Sequence, residues 1–118
     1  MIRANLLQSS EPDVINQSGS ASGSKTYTFL KDYTEVYAFI GNVLTGGATI
    51  QGDTSCAYSG TGTAEDIVKY LPASSVTNRY NCFAYKHITN VKAGDTITLT
   101  AIQAGSGTST TTFEIIAW

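Results

Sequence analysis

Charged side chains are scarce in this chain: Asp, Glu, Lys and Arg make up 14% of its 118 residues, against the ~25% usual for soluble proteins. The seven basic residues are scattered and are outnumbered by nine acidic ones, so the formal net charge is −2. A nucleic-acid-binding protein normally carries a basic patch or stripe. This charge pattern therefore predicts that nucleic acid is not a partner.

Long hydrophobic runs are also missing. No apolar segment approaches the ~20 residues that a membrane-spanning helix requires, so we expect no membrane span. The segment from Met1 to Leu7 is too short and too polar to be the core of a signal peptide. If Met1 is the native start, the protein is expected to be made and kept in a cytoplasm, or to leave it by a route other than secretion.

Metal-binding and catalytic residue types are few, with two cysteines and one histidine. A structural zinc site takes four ligands in paired spacing, which Cys56, Cys82 and His87 do not provide. In a reducing compartment the two cysteines are expected to be free, buried thiols, with a disulfide as the alternative. His87 is accompanied by no Gly-x-Ser-x-Gly motif. We therefore predict no enzyme activity, no metal and no cofactor.

The residues that replace the missing charge are those of a β protein. Thr is favoured in strands, whereas Gly, Ser and Asn are favoured in turns. The clearest two-residue alternation runs from Arg79 to Ile88 and from Thr96 to Gln103, joined through a turn at Gly94-Asp95. Seven or eight such short strands are separated by turn signals. This pattern predicts an all-β fold: an antiparallel two-sheet β-sandwich, jelly-roll-like, with at most one short helix.

The alternation also predicts which side chains lie between the sheets. Residues 34–41 are apolar on both faces, which is typical of a central strand or a subunit interface. In the last strand, Phe113 and Ile115 are expected to point inward, and Ile116 and Trp118 outward. The expected core consists of Phe29, Ile40, Phe83, Ile97, Leu99, Phe113 and Ile115.

Four local signals predict interruptions of the strands. Gly52-Asp53 favours a hairpin turn between two short strands. Residues 63–71 slightly favour a short helix over an edge strand, because Thr63 resembles an N-cap and Pro72 would end the helix. Ala101-Ile102 breaks the alternation and predicts a bulge or a strand end. Residues 104–108 predict a hairpin loop.

The N-terminal part differs in composition from the rest of the chain. Residues 1–24 are predicted to be a flexible arm or linker, and residues 25–118 the β-sandwich domain. Ile2, Leu6 and Leu7 provide apolar anchors for a short arm or an extra edge strand, whereas residues 8–24 are polar and end in Ser and Gly. A disordered leader and an arm that docks on a neighbouring subunit both remain open.

Aromatic residues supply two candidate sites, since seven tyrosines stand among few charges. Tyrosine offers a flat apolar face and a polar tip, which suits sugar rings; the candidate ligand contacts are Tyr33, Tyr58, Tyr70 and Tyr80. An outward-facing apolar patch usually marks an interface; the candidate interface residues are Tyr37, Phe39, Ile116 and Trp118. Two plainer alternatives are half-buried strand tyrosines without a ligand and a covered second core.

The C-terminal third resembles a known group of proteins. The turn at residues 90–99 (NVKAGDTITL), the Gly/Ser loop after it and the closing strand at 110–116 resemble small β-sandwich proteins of bacteriophage particles: tail-fibre heads, baseplate and decoration proteins. A similar turn occurs in carbohydrate-binding jelly rolls and in trimeric jelly rolls of the tumour-necrosis-factor type. The resemblance implies a virion role with homo-oligomeric assembly.

Three function hypotheses follow. The first is a non-enzymatic structural or adhesion module, a tail or capsid-associated virion component that acts as a homo-oligomer. Its further partners would be other particle proteins or surface glycans, and it would lie in the virion or in the host cytoplasm during assembly. The alternative is a carbohydrate-binding module of a secreted glycan-active protein, which would be extracellular. The third is an enzyme, which would need His87 beside a nucleophile.

Overall fold

The computed structural model describes residues 11–19, 23–47, 49–72 and 76–118. Within them the chain forms eight strands and no helix, so this part of the chain has none that could span a membrane. The strands are β1 (Asp13–Gly19), β2 (Gly23–Thr28), β3 (Tyr33–Thr45), β4 (Ile50–Ser59), β5 (Thr63–Tyr70), β6 (Arg79–Val91), β7 (Thr96–Gly105) and β8 (Thr108–Ala117).

The strands form two sheets, which confirms the predicted antiparallel β-sandwich. The larger sheet has five strands in the order β1-β8-β3-β6-β5, and the smaller has three in the order β2-β7-β4. Neighbouring strands are antiparallel throughout. The pairs β1–β8, β2–β7 and β3–β6 are those of a jelly roll. The departure is β5, which pairs with β6 and so lengthens the larger sheet instead of joining β4.

The core lies between the sheets and is built by strict alternation along the strands. Strand β3 is central, between β8 and β6, as its two apolar faces predicted, and it turns Val36, Ala38 and Ile40 inward. The other expected core residues that the structure buries are Phe29, Ile97, Leu99, Phe113 and Ile115. Each large apolar side chain contributes about 1.5–3 kcal/mol of transfer free energy when it is fully buried, so this layer holds the sheets together.

Phe83 was expected in this core, and that prediction is wrong. On β6 the inward side chains are Cys82, Ala84 and Ile88, and Phe83 points to the opposite side of the sheet, where it is only half-buried. Because both faces of β6 are apolar, alternation alone does not show which face is buried, and the larger side chain of Phe83 was assigned to the core. The smaller ones face inward because β4 packs against β6 at this point.

Gly52-Asp53 is not a turn. Both residues lie inside β4, which pairs without a break with β7 from Ile50 to Ser59. A Cβ at position 52 would lie 2.7 Å from the Ile102 carbonyl oxygen and 3.0 Å from a methyl group of Leu44. Glycine is therefore needed at position 52 because neighbouring strands come close to its backbone. The chain does not reverse direction there.

The short helix slightly favoured at residues 63–71 is also wrong, because Thr63–Tyr70 forms the edge strand β5. The strand is hydrogen-bonded to β6 along most of its length, with an irregularity between Asp66 and Val68. A local cap signal at Thr63 competes poorly with a long partner strand that offers a hydrogen-bonding edge.

Two predictions about the last strands fail for related reasons. Strand β7 does not end at Ala101-Ile102: Ala101 is buried, Ile102 is half-exposed, and pairing with β4 continues to Gly105. The loop at residues 104–108 is not a hairpin loop, because β7 and β8 lie in different sheets. The chain crosses there from the smaller to the larger sheet.

Part of the predicted N-terminal arm contributes strands. Asp13–Gly19 is β1 and pairs with β8, and β2 begins at Gly23. The strand-forming part of the chain thus starts before Lys25. Ile2, Leu6 and Leu7 lie outside the described residues.

Cys56 and Cys82 are free and buried, in β4 and β6, so the expected state of free thiols is the one observed. Burial raises the pKa of each thiol to about 11. Since the thiolate is the nucleophile, both side chains are expected to be unreactive and to act as small core hydrophobes.

Candidate functional site

The outer face of the larger sheet, turned away from the smaller sheet, carries a concentration of aromatic side chains. Strand register sets them in rows: Ile116, Tyr37 and His87 lie side by side on β8, β3 and β6, and the next row is Glu114, Phe39 and Tyr85. We define the aromatic band as Tyr37, Phe39, Tyr70, Phe83, Tyr85 and Trp118. Five of the six lie in strands β3, β5 and β6 of the larger sheet, and Trp118 directly follows β8.

One half of the band is centred on Tyr37. Its ring stacks on His87 with centroids 4.6 Å apart, and meets Trp118 edge-on at 5.9 Å and Tyr85 at 6.3 Å. The backbone fixes Trp118 there, because its N–H donates to the Glu35 carbonyl and its own carbonyl accepts from Thr34 N–H. The chain's last residue is therefore held against β3.

The other half runs from Phe39 to the sheet edge. The Phe39 ring lies 5.8 Å from Tyr85 and 6.3 Å from Phe83, and Phe83 stacks on Tyr70 at 5.5 Å. Between Phe39 and Phe83 the sheet carries Gly41, where a Cβ would meet the Phe39 ring at 3.1 Å. The missing side chain lets the Phe39 ring cover the backbone, so the band is continuous from β8 to β5.

No described strand packs on this face, because the smaller sheet covers only the opposite side. Tyr70 is 49% exposed and Trp118 38% exposed, and two aliphatic residues at the rim, Val14 and Val68, are 57% and 43% exposed. The rings between them shield each other and remain half-buried. An apolar surface of this continuity usually marks an interaction site.

Charge is confined to the rim of the band. His87 lies between two carboxylates, with Nε2 3.4 Å from Glu35 Oε1 and Nδ1 3.5 Å from Glu65 Oε1. Glu114 occupies the next row, opposite Phe39. At the other end of β6, Arg79 is exposed on the same face, and its Nε donates to Asn81. The face is thus acidic at one end, aromatic in the middle and basic at the other end.

The four predicted interface residues, Tyr37, Phe39, Ile116 and Trp118, are brought together on this face. Tyr37 contacts Trp118 directly and faces Ile116 across the β3–β8 pair. Sequence reasoning missed Phe83, Tyr85 and Tyr70 as part of the same surface. Their shared face was readable from alternation, but only the β3–β6 and β5–β6 registers show which rings meet.

The four predicted sugar-contact tyrosines are not gathered, and two of them are unsuitable. Tyr80 is buried, and its hydroxyl donates to the Pro72 carbonyl at 2.8 Å. Tyr33 is buried, and its hydroxyl donates to Asp13 at 2.7 Å. Burial and the hydrogen bond to Asp13 raise the pKa of Tyr33. The hydrogen bonds from Tyr33 and Lys31 lower the pKa of Asp13. Neither ring has a free face for stacking on a sugar, which corrects the prediction for these residues.

The other two predicted tyrosines, Tyr58 and Tyr70, have different surroundings. The Tyr58 hydroxyl donates to Asp95 Oδ2 at 2.6 Å and accepts from Gly62 N–H, so the side chain ties two loops together. The Tyr58 and Lys92 N–H hydrogen bonds hold the pKa of Asp95 below its usual value. Tyr70 alone of the four is well exposed, and it belongs to the aromatic band.

Within the described ranges no group of three or more His, Cys, Asp or Glu side chains is placed to hold a metal ion. The ring nitrogens of His87 approach carboxylates, which does not make the nucleophile–base pair that a hydrolytic triad needs.

The chain is similar in fold to a solved phage protein. A chain of the tripod from the baseplate of bacteriophage Tuc2009 superposes with a TM-score of 0.56 at 13% sequence identity, over 92% of this chain and 64% of that chain. This chain therefore spans less than two thirds of that protein's length. No family model matches the sequence, and no curated protein matches it.

Proposed function

We propose that this chain is a non-enzymatic structural module of a phage-type particle, a tail or capsid-associated component that works as a homo-oligomer. Its subunits meet through the outer face of the larger sheet. The observation that carries the proposal is the continuous aromatic band from Trp118 to Tyr70, left uncovered by the described strands.

The composition of the band supports a protein partner. Interface centres are enriched in aromatic residues and depleted of charge, with polar groups at the rim. The band follows this pattern, with rings in the middle and Glu35, Glu65 and Arg79 at its ends. Aromatic side chains in such positions carry a large share of binding energy.

The distribution of charge supports a second copy of this chain as that partner. Glu35 and Arg79 stand at opposite ends of the β3–β6 pair, since Arg79 faces Thr45, which is ten residues or about 33 Å along the strand from Glu35. A second copy laid on the face with its strands reversed would bring its Arg79 to the acidic end of the first. The aromatic rows would meet in the middle.

The particle role is supported by the shared fold. The baseplate protein of the comparison has a similar fold over most of this chain, and the turn at residues 90–99 resembles one in small β-sandwich proteins of phage particles. The baseplate role belongs to the neighbour. From the similar fold we propose that this chain also serves as a structural subunit of a particle.

Light scattering on the purified chain tests the proposal. We expect a mass of two or more 12.5 kDa subunits at micromolar concentration, because an apolar interface centred on several rings is stable in that range. A 12.5 kDa species at several hundred micromolar would contradict homo-oligomeric assembly.

A further inference from the structure

The single histidine of the chain, His87 on β6, lies at the acidic end of the aromatic band. Its ring is stacked on Tyr37, with an angle of 15° between the two planes. The side chain is 19% exposed, and its Nε2 atom is buried without a hydrogen-bond partner among the described residues. A buried polar atom of this kind carries a free-energy cost until a partner or a proton satisfies it.

Carboxylates face both nitrogens of the His87 ring. Glu35 on β3 lies 3.4 Å from Nε2, and Glu65 on β5 lies 3.5 Å from Nδ1. The other titratable side chains beside the ring are the tyrosines Tyr37 and Tyr85 on the same face. A neutral imidazole has one N–H and one lone pair, so in either tautomer one carboxylate faces a lone pair. A protonated ring has two N–H groups and can donate to both carboxylates.

Carboxylates outnumber cations on this face of the sheet. Its described strand residues include three carboxylates, Glu35, Glu65 and Glu114, and Arg79 as the one permanent cation. Glu114 on β8 lies one row from His87, and the β8 residue in the histidine's own row is uncharged. A second copy laid on the face with its strands reversed brings one Arg79 to each acidic end. One of the two glutamates there then lacks a cation unless His87 is protonated.

Water decides how much this imbalance matters. The side chains of Glu35 and Glu65 are 48% and 72% exposed, so in a separate subunit water solvates them and their pairing with His87 contributes little. Assembly through the band removes part of this water. An uncompensated charge then costs more, and opposite charges attract more strongly. Protonation of His87 is therefore more favourable in the assembly than in the free subunit, because the incoming Arg79 balances only one carboxylate.

We infer that protonation of His87 tightens association through the aromatic band, so that the homo-oligomer is more stable in mildly acidic solution. This inference rests on the proposed function and adds its regulation. The state that binds more protons gains stability as the pH falls, and here that state is the assembly. Histidine changes charge between about pH 5 and pH 8, whereas carboxylates stay ionised above about pH 5. The effect is therefore expected in this window.

Sedimentation equilibrium of the full chain at about pH 8 and about pH 5.5, at one ionic strength, tests the inference. We expect the dissociation constant to be at least ~10-fold lower at the lower pH, which corresponds to about 1.4 kcal/mol. His87→Gln keeps a polar side chain that does not titrate, and its constant should change less than ~2-fold over the same range. Glu35→Gln/Glu65→Gln keeps His87 but removes its carboxylates, and should flatten the response as well.

A matched control separates this effect from the loss of net charge near the isoelectric point of about 5.1. His87→Gln/Ser55→His moves the titrating group to β4, where Ser55 is exposed on the smaller sheet. Its response to pH should equal that of His87→Gln. Thermal unfolding checks that each variant is folded, and the Glu35→Gln/Glu65→Gln variant supplies the same test if His87→Gln does not fold.

The possible outcomes distinguish this inference from the proposed function. An assembly whose dissociation constant is equal at both pH values, or higher at the lower one, would overturn the inference and leave the proposed function standing. A His87→Gln variant that keeps the wild-type response would do the same. A 12.5 kDa species at both pH values, even at high concentration, would contradict the proposed function and the inference together.

Discussion

Replacing Ile115 with Ala is expected to lower the free energy of unfolding by about 2–5 kcal/mol, whereas the same replacement at Ile116 should cost less than about 1 kcal/mol. The two residues are neighbours on β8 and differ only in direction. Ile115 lies fully buried between the sheets, and Ile116 lies half-exposed on the outer face beside Tyr37. Truncating Ile115 leaves a cavity that the rigid surroundings fill poorly.

The effects on assembly should be reversed. Ile116→Ala is expected to weaken subunit association by about 10-fold, as for a residue that contributes around 1.4 kcal/mol to an interface, and folded Ile115→Ala should assemble normally. Denaturant unfolding must be measured at concentrations where the protein is monomeric, since assembly adds to the apparent stability. Equal losses of stability at both positions would contradict the assignment of inner and outer faces.

Tyr37→Lys should have the largest effect on assembly and raise the dissociation constant at least ~100-fold, the range of an interface hot spot. Tyr37 contacts Trp118, Tyr85 and His87, so the substitution removes the centre of one half of the band. It also places an unpaired cation where association would remove water, which is costly. Sedimentation equilibrium of the variant and the wild-type chain measures the change.

The control for this experiment is Ser55→Lys. Ser55 is exposed on β4, on the surface of the smaller sheet. The Ser55→Lys substitution therefore adds the same charge as Tyr37→Lys, but away from the aromatic band. Its association should match that of the wild-type chain, and thermal unfolding should confirm that both variants are folded. If Ser55→Lys dissociates the assembly and Tyr37→Lys does not, the interface lies on the smaller sheet.

The fold class was predictable because two-residue alternation is a local signal. Where one face is clearly apolar, as at Phe113 and Ile115, the sequence also indicates which side chains face inward. On β6 both faces are apolar, and the choice between Phe83 and Cys82 depends on what packs above each of them. That information lies in β4, which is distant in sequence, so Phe83 was assigned to the wrong side.

Short-range signals failed where a distant partner overrides them. Gly52 resembles a turn residue, yet it is needed because the Ile102 carbonyl of the neighbouring strand comes close. Thr63 resembles a helix cap, yet β6 offers β5 a long hydrogen-bonding edge. Neither contact can be read from a window of ten residues.

The sequence predicted only part of the candidate site. Tyr37, Phe39, Ile116 and Trp118 were assigned to one outward patch because alternation fixes their direction within two strands. The remaining rings, among them Phe83 and Tyr85, join the patch through strand register. Register is a property of paired strands and has no local signature, which is why the extent of the band was visible only in the structure.

Hydroxyl-radical footprinting of the wild-type chain, at assembled and at diluted concentrations, tests most directly whether subunits meet through the aromatic band. We expect oxidation of Tyr37, Tyr85 and Trp118 to fall on assembly, while Tyr27 on the smaller sheet is oxidised equally in both states. Band residues that oxidise at the same rate in both states, or protection confined to the smaller sheet, would contradict the account.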